Sequence, residues 1–258
     1  MRICDTISIE RKEGWLMNDK LDKINPIASW IAALSLIVVM FVSCIDYNVF
    51  NREFFTTQYT KLDTAEKVGM TKEDLELVTD NLLEYIQGDS DSIMTKITIR
   101  GKVVNAFNNK EEAHMVEVRL LYQGALKVRN FAFVAFILSL FFLVLRLKAG
   151  AFTLISINYM KAAVAFASFF ILAAGWAYVD FDSFWYGLHK LIFKNKLWLL
   201  NPETDLMIHL FPGPFFFALV FRITLMFLFV FGLVFLLAYL YLHHQLKNFV
   251  PEEIEDEE

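Results

Sequence analysis

The sequence lacks the motifs of several large enzyme classes. It contains no HExxH zinc motif, no GxSxG nucleophile motif and no phosphate-binding P-loop. Only two cysteines are present, Cys4 near the N-terminus and Cys44 inside an apolar run, and they do not indicate a disulfide framework. Neither an internal repeat nor a pattern typical of nucleic-acid binding occurs. We therefore predict a function that uses no cofactor, no bound metal and no nucleic-acid partner.

Charged residues are missing from four stretches of the chain. Hydrophobic residues make up 57% of the sequence, which is too many for a soluble domain of this length. Ile27–Ile45, Ala162–Val179 and Ile223–Leu242 are uncharged, and the shorter run Phe131–Leu145 can be extended by a snorkelling Arg146. Because about 20 apolar residues suffice to cross a bilayer as a helix, the pattern predicts four transmembrane helices.

The distribution of basic residues predicts the orientation in the membrane. The N-terminal segment carries several lysines and arginines, and the short connection between the second and third spans holds Arg146, Lys148 and Lys161 without an acid. By the positive-inside rule both lie in the cytoplasm, so both termini are cytoplasmic and the other two connections are outside. Translation could start at Met1 or at Met17.

These observations predict a mainly α, polytopic membrane protein in the cell membrane, with four transmembrane helices and a small mixed α/β extracytoplasmic loop domain. The predicted segments are a cytoplasmic N-terminal segment at 1–26, transmembrane helix 1 at 27–47, the extracytoplasmic domain at 48–129, transmembrane helix 2 at 130–147, a cytoplasmic connection at 148–160, transmembrane helix 3 at 161–180, an interfacial extracytoplasmic loop at 181–213, transmembrane helix 4 at 214–243 and an acidic cytoplasmic tail at 244–258.

The first outer connection has local signals of folded structure. Thr71, followed by acids, is typical of a helix start, and Gly88 is typical of a helix end. The segment Lys96–Phe107 alternates about a central Arg-Gly pair, which predicts a β-hairpin. Residues 110–129 predict a helix that continues into the second span without a break and carries His114 on its exposed part.

The second outer connection, Asp180–Phe217, contains more aromatic residues than a solvated loop tolerates. Asp182 is expected to cap a short helix that carries Trp185 and His189 one turn apart. A second short helix is expected from Asn201 through Ile208. Such aromatic segments are typical of chains lying in the membrane interface, and anchoring there is the simplest interpretation of them.

Three of the five histidines, His114, His189 and His209, fall in the outer connections. Histidine is the side chain best suited to proton transfer near neutral pH. Two or three histidines converging on one face beside aromatic segments would form a candidate site.

Two segments of the outer connections have distinctive sequences. The first is EEAHMVEVRLLYQG, Glu111–Gly124. The second is FDSFWYGLHKLIFKNKLWLLNPETDLMIHLFPGPFFF, Phe181–Phe217. These two segments resemble the signatures of a bacterial family of four-span membrane proteins that includes the lipoprotein intramolecular transacylases (Lit) of Gram-positive bacteria. One histidine of each signature is associated with catalysis in the family, and these fall on His114 and His189. His209 has no counterpart expected across the family.

The resemblance implies a membrane acyltransferase. Such enzymes move the sn-2 acyl chain of a diacylglyceryl lipoprotein onto the α-amino group of the lipoprotein's own N-terminal cysteine, which gives the lyso-form. The implied partners are diacylglyceryl-modified lipoproteins and membrane lipids. The implied catalytic residues are His114 and His189. We add Arg222, Trp185 and Asp182 as predicted substrate-binding residues, Arg222 because a charge inside the outer end of a span is usually functional.

Two other functions are compatible with the residues. One is a non-catalytic envelope membrane protein that binds or senses a partner through its outer loops. The other is a metal-dependent envelope hydrolase using His114, His189 and either Asp182 or Glu117, although no local ligand pair of the usual spacing is present.

Overall fold

The computed structural model describes residues 3–247, with side chains from residue 23 onward. The side chains of Cys4 and Met17 and the acidic run beyond residue 247 lie outside the described part. Its elements are α1 (Ile3–Val49), α2 (Arg52–Leu62), α3 (Thr64–Val68), α4 (Lys72–Gln87), β1 (Lys96–Ile99), β2 (Lys102–Asn105), α5 (Asn109–Leu147), α6 (Gly150–Val179), α7 (Phe181–Ile192), α8 (Met207–Leu210) and α9 (Gly213–Lys247).

Four of these helices are long and apolar enough to cross a membrane: α1 from Lys23 onward, α5, α6 and α9. They carry large apolar side chains that are exposed among the described residues, such as Leu172 at 75% and Phe229 at 72% exposure. In water such surfaces would be costly, whereas a hydrocarbon environment accommodates them. The prediction of a mostly helical, multi-pass membrane protein is confirmed.

Between α1 and α5 the chain forms short elements that follow the local sequence signals. The side chain of Thr71 accepts a hydrogen bond from the backbone N–H of Asp74 and caps α4. Gly88 ends the helix with a φ of +100°, a conformation that glycine adopts without strain. Leu75 and Leu82 lie two turns apart on the same face of this helix, and both are buried. The prediction of this helix is confirmed at both ends.

The predicted hairpin is also present. Strands β1 and β2 pair antiparallel with Ile99 opposite Lys102, so that Arg100 and Gly101 form a two-residue loop. Both loop residues have positive φ, 49° and 79°, as a type I′ turn requires. Arg100 takes this conformation although it is not glycine, and its backbone N–H donates to the carbonyl of Gly69 at 2.8 Å.

The chain divides into two compact units. One unit comprises residues 41–129 and 169–228, and its apolar core is rich in aromatic rings. Phe54 and Phe55 of α2 pack on Phe215 at the start of α9, with centroid separations of 5.4 and 5.2 Å. Asp46 adds a polar contact inside this unit, since its carboxylate accepts hydrogen bonds from Tyr122 and Arg129.

The other unit comprises residues 1–40, 130–168 and 229–258, of which 3–40, 130–168 and 229–247 are described. Ala28, Leu143 and Ala151 form its small buried cluster. The hydroxyl of Tyr159 donates to the carbonyl of Phe231 at 3.0 Å, and the amide of Asn158 donates to Ser29. These bonds satisfy buried polar groups between apolar helices.

Two local predictions in the second outer connection are wrong. Helix α7 is capped by Asp180, whose carboxylate accepts from the N–H of Ser183 at 3.0 Å, whereas Asp182 lies one residue inside the helix. The helix predicted from Asn201 through Ile208 is instead a set of turns followed by α8. The carboxylate of Asp205 accepts from the N–H of Asn201 at 2.7 Å and holds the segment as a turn.

Candidate active site

His114 lies on the second turn of α5 and was expected on an exposed part of that helix. Its side chain is instead buried, with an exposure of 6%. The cover comes from the second connection, where the ring of Phe193 meets the imidazole edge to face at 5.0 Å. A residue that the local sequence places on a polar helix surface is therefore enclosed by a segment distant in sequence.

His189 lies in the last turn of α7. Its Nδ1 is 2.8 Å from the carbonyl oxygen of Trp185, one turn earlier. The α7 helix also passes close to α6, because a Cβ placed at Gly187 would lie 2.8 Å from the indole of Trp176. The absence of a side chain at Gly187 therefore allows α7, the helix that carries His189, to approach Trp176 of α6 this closely.

The structure brings His114 and His189 together, and we call them the histidine pair. Their ring centroids are 6.2 Å apart and the ring planes are inclined by 39°. Aromatic rings of Phe193, Trp185 and Trp198 lie 5.7, 4.6 and 5.2 Å from the ring of His189. Two imidazoles at this separation can both reach a reacting group placed between them, in surroundings from which the aromatic rings displace water.

The surroundings of both rings favour the neutral imidazole. His114 lies in the charged first part of α5, well before the apolar stretch that begins at Phe131. Burial, helped by the nearby His189 and Lys110, lowers the pKa of His114 to about 4. Burial also lowers the pKa of His189, although the hydrogen bond with Trp185 acts in the opposite direction.

The hydrogen bond of His189 fixes its tautomer. A carbonyl oxygen can only accept, so Nδ1 of His189 carries the hydrogen and donates it to Trp185. The neutral ring then has its lone pair on Nε2. That nitrogen is available to take a proton from a substrate.

Four residues, Asn108, Lys110, Glu111 and Asp205, attach the second connection to the start of α5, and we call them the loop anchor. Glu111 is almost fully buried at 1% exposure. One of its oxygens accepts from the N–H of Asn108 at 2.8 Å and the other from the N–H of Met207 at 2.7 Å. Burial raises the pKa of Glu111, while these two backbone bonds act against the rise.

Asp205 forms the other half of the loop anchor. Its carboxylate, 3% exposed, accepts hydrogen bonds from the Asn108 amide and the Lys110 ammonium, both at 2.9 Å. Burial by itself would raise the pKa of Asp205, but the bonds from Asn201, Lys110, Thr204 and Asn108 outweigh it and hold the pKa below its ordinary value. The anchor therefore holds a charged carboxylate and sets where the second connection lies over His114.

Sequence reasoning missed the loop anchor. The sequence does contain a signal for half of it, because Asn108 followed three residues later by Glu111 is the pattern of a capping box. In the structure, Oδ1 of Asn108 accepts from the N–H of Glu111 at 3.1 Å. The role of Asp205 had no local signal. Its partners Asn108 and Lys110 lie about a hundred residues earlier in the chain.

Glu117 stands one turn after His114 on α5. Its Oε2 is 3.9 Å from Nδ1 of His114, beyond hydrogen-bonding distance. Both atoms are buried without a hydrogen-bond partner among the described residues. The other oxygen of Glu117 accepts from the side-chain amide of Asn195, in the second connection.

Of the other predicted site residues, Trp185 lies at the histidine pair and stacks on Phe216 at 4.4 Å. Asp182 is exposed near the start of α9, where a Cβ at Gly213 would lie 3.5 Å from its Oδ1. His209 is exposed and its Nε2 is 2.7 Å from the carbonyl of Pro202.

Arg222 lines a separate cleft of about 590 Å³ between α2 and the start of α9. Its guanidinium lies over the ring of Phe54 at 5.4 Å and 3.5 Å from Oδ1 of Asn51.

Across the described residues, no group of three or more His, Cys, Asp or Glu side chains is placed to hold a metal ion.

The family model of the lipoprotein intramolecular transacylase Lit matches residues 30–216, well over half of the chain. The chain belongs to the Lit family. The prediction made from the two signatures is therefore confirmed, and both members of the histidine pair lie within the matched range.

Solved Lit structures share the fold. The in meso structure of Lit from Bacillus cereus is 19% identical, with a TM-score of 0.69 over 88% of this chain and 99% of that chain. Two variants of the same protein, with one histidine replaced by arginine or by alanine, are 17% and 18% identical with TM-scores of 0.65 and 0.67. They cover 92% and 88% of this chain and 98% and 97% of theirs. No curated protein sequence matches the chain.

Proposed function

We propose that this chain transfers the sn-2 acyl chain of a diacylglyceryl lipoprotein to the α-amino group of the same lipoprotein's N-terminal cysteine. The observation that carries the proposal is the histidine pair, since His114 and His189 come from two separate connections and meet at 6.2 Å between ring centroids. Membership of the Lit family supplies the class of substrate.

The reaction is an ester aminolysis that moves one proton. The amine nitrogen forms a bond to the ester carbonyl carbon, the bond from that carbon to the sn-2 oxygen breaks, and the proton lost by the amine replaces the bond on that oxygen. Because both reacting groups belong to one substrate, positioning supplies much of the rate. No covalent intermediate with the enzyme is required.

The geometry supports different roles for the two histidines. Nε2 of His189 holds the lone pair and takes the proton from the amine. The proton taken by His189 passes to His114, and the imidazolium formed there delivers it to the departing sn-2 oxygen. His114 can act as the donor only in this charged form, because a neutral imidazole is far too weak an acid. One proton moves in total, and both rings are neutral before and after the reaction.

The test of the proposal is mass spectrometry of lipoprotein N-termini from a host that makes diacyl lipoproteins and expresses this chain. We expect a share of the lipoproteins to change from the diacylglyceryl form to the N-acyl monoacylglyceryl form. Good expression of the chain without any such conversion would refute the proposed activity.

The proposed reaction takes place outside the cytoplasmic membrane, where mature lipoproteins present their N-terminus. In this proposal residues 48–129 form a small extracytoplasmic α/β domain, residues 181–213 an interfacial loop, and both termini are cytoplasmic. The basic residues around the junction of α5 and α6 support this orientation. Arg146 lies in the last turn of α5, Lys148 lies between the helices and Lys161 lies within α6, and no acid occurs from 146 to 161.

Cysteine labelling tests the orientation. In a chain whose Cys4 and Cys44 are replaced by alanine, we expect Asp89→Cys and Lys196→Cys to react with an impermeant thiol reagent in intact cells. Gly150→Cys should react only after the cells are opened. All three positions are exposed, so accessibility within the protein does not decide the result. Labelling of Gly150→Cys in intact cells would reverse the proposed topology.

We further propose that Arg222, in its cleft, binds the glyceryl or peptide oxygens of the substrate, while Trp185 and Asp182 line the path to the histidine pair. Among the described residues the guanidinium has one long hydrogen bond, to Asn51, which leaves donors for a ligand. We expect Arg222→Leu to lower conversion about 10- to 100-fold, the scale of losing a hydrogen bond to a charged group. Arg222→Lys should retain part of the activity. Unchanged conversion by Arg222→Leu at normal protein level would exclude this role.

A further inference from the structure

The carboxylate of Glu117 lies 3.9 Å from the ring of His114. The groups that face this ring are Lys110 and Glu117 on α5, His189 on α7, and the ring of Phe193 in the second connection. Lys110 and His189 both disfavour a positive charge on His114. Glu117 is therefore the group of this set that can stabilise an imidazolium there.

Two buried polar atoms without hydrogen-bond partners also support a pairing of His114 with Glu117. Nδ1 of His114 and Oε2 of Glu117 both lack a hydrogen-bond partner in the described part of the chain, and they are 3.9 Å apart. A buried polar atom left without a partner costs about 1–3 kcal/mol. A rotation of the Glu117 side chain that closes this gap would satisfy both atoms at once.

The second connection supports Glu117 from the opposite side. The amide of Asn195 donates to Oε1 of Glu117 and so leaves Oε2 for His114. Asn195 is itself held in a turn, where its Oδ1 accepts from the N–H of Leu197 at 2.9 Å and its carbonyl accepts from the indole of Trp198. Glu117 thus lies between a histidine on its own helix and an amide from the segment that covers the site.

We infer that Glu117 is the positioning residue of His114, accepting its Nδ1–H in the reacting state so that Nε2–H faces the departing oxygen, with Asn195 orienting the carboxylate. This inference rests on the proposed function, because it gives His114 the role of proton donor. The charge-assisted bond from Nδ1–H to a carboxylate is about twice as strong as a neutral one, and it is available only when the ring is aligned. Such a third group, which orients an imidazole and favours its charged form, is a recurring arrangement in acyl transfer.

The experiment compares Glu117→Gln with Glu112→Gln, which removes a charge from the same helix without a contact to His114. We expect Glu117→Gln to lower lipoprotein conversion at least about tenfold, Glu117→Asp to retain part of it, and Glu112→Gln to match the unaltered chain. All variants should accumulate in the membrane to the same level, because Glu112 and Glu117 both precede the uncharged stretch that begins at Phe131.

Nuclear magnetic resonance of ¹⁵N-histidine-labelled protein provides a readout that does not depend on activity. In the unaltered chain we expect Nδ1 of His114 to carry the hydrogen, and the midpoint of its titration to move to lower pH in Glu117→Gln but not in Glu112→Gln. Identical midpoints and tautomers in the unaltered chain and Glu117→Gln would overturn the inference, as would unchanged conversion by Glu117→Gln. Full conversion by His114→Ala would instead refute the proposed function. The resonance experiment tests only the pairing of Glu117 with His114, so the two failures can be told apart.

Discussion

Replacing either His114 or His189 by alanine is expected to lower the conversion of diacyl lipoproteins to the lyso-form by at least about 100-fold. This is the usual scale for losing a general acid or base. In the proposed mechanism each imidazole has a separate task in the proton transfer, and the buried surroundings of His114 leave little room for solvent to replace it. The measurement is mass spectrometry of lipoprotein N-termini from cells that express each variant.

The double variant should be little worse than either single variant, because residues that act as a unit have non-additive effects. His209→Ala is the matched control. His209 lies in the same connection as His189 but is exposed and bonded to Pro202, so its loss should have a small effect. All of these proteins should reach the membrane, since the spans direct insertion. Full conversion by the double variant would show that the chemistry lies elsewhere.

Of all the variants considered, Asp205→Asn is expected to lose the most stability. The free energy of unfolding should fall by about 2–4 kcal/mol. The carboxylate accepts from the N–H of Asn201 and from Lys110, among others, whereas an asparagine presents an NH₂ group to one of these donors. Breaking a buried ion pair costs about 3–5 kcal/mol, and the partial exposure of Lys110 reduces this range. Thermal unfolding in detergent measures the change, and Glu203→Gln, an exposed acid of the same segment, is the control.

The same variant should also lose conversion, because the loop anchor fixes where Phe193 and Asn195 lie over His114. The contribution of Asp205 depends on pH in a defined direction. Its pKa is lowered in the folded state, so its stabilising effect is complete above the ordinary pKa of an aspartate, about 3.9, and is lost only as the pH falls through the folded value. The difference between the unaltered chain and Asp205→Asn should therefore be constant across neutral pH. An Asp205→Asn protein as stable as the Glu203→Gln control would contradict this account of the loop anchor.

Much of the fold could be predicted because the relevant signals are local. The four spans follow from runs without charge, and helix α4 follows from Thr71 at one end and Gly88 at the other. The hairpin follows from alternation about Arg100 and Gly101. In each case the residues that determine the structure lie within a few positions of it.

The remaining features depend on contacts that local patterns do not contain. Asp180 and Asp182 are both acceptable caps for α7 by residue type, and the actual start of the helix is set where α6 ends at Val179. The segment from Asn201 was expected to be helical, but Asp205 bonds with Asn108 and Lys110 and keeps it in turns. The burial of His114 depends in the same way on a distant ring, that of Phe193.

The partner residues of the loop anchor are far apart in the chain, Glu111 and Met207 being separated by 96 positions. A ribosome makes the first of these residues long before the second, and α6 is made between them. His114 therefore remains without its companion imidazole and its covering ring until His189 and Phe193, in a chain of 258 residues, have been synthesised. A product that ends before His189, through stalling or proteolysis, can occupy the membrane with three of its four spans and still lack the assembled histidine site, so the proposed acyl transfer can begin only after the second connection has been made.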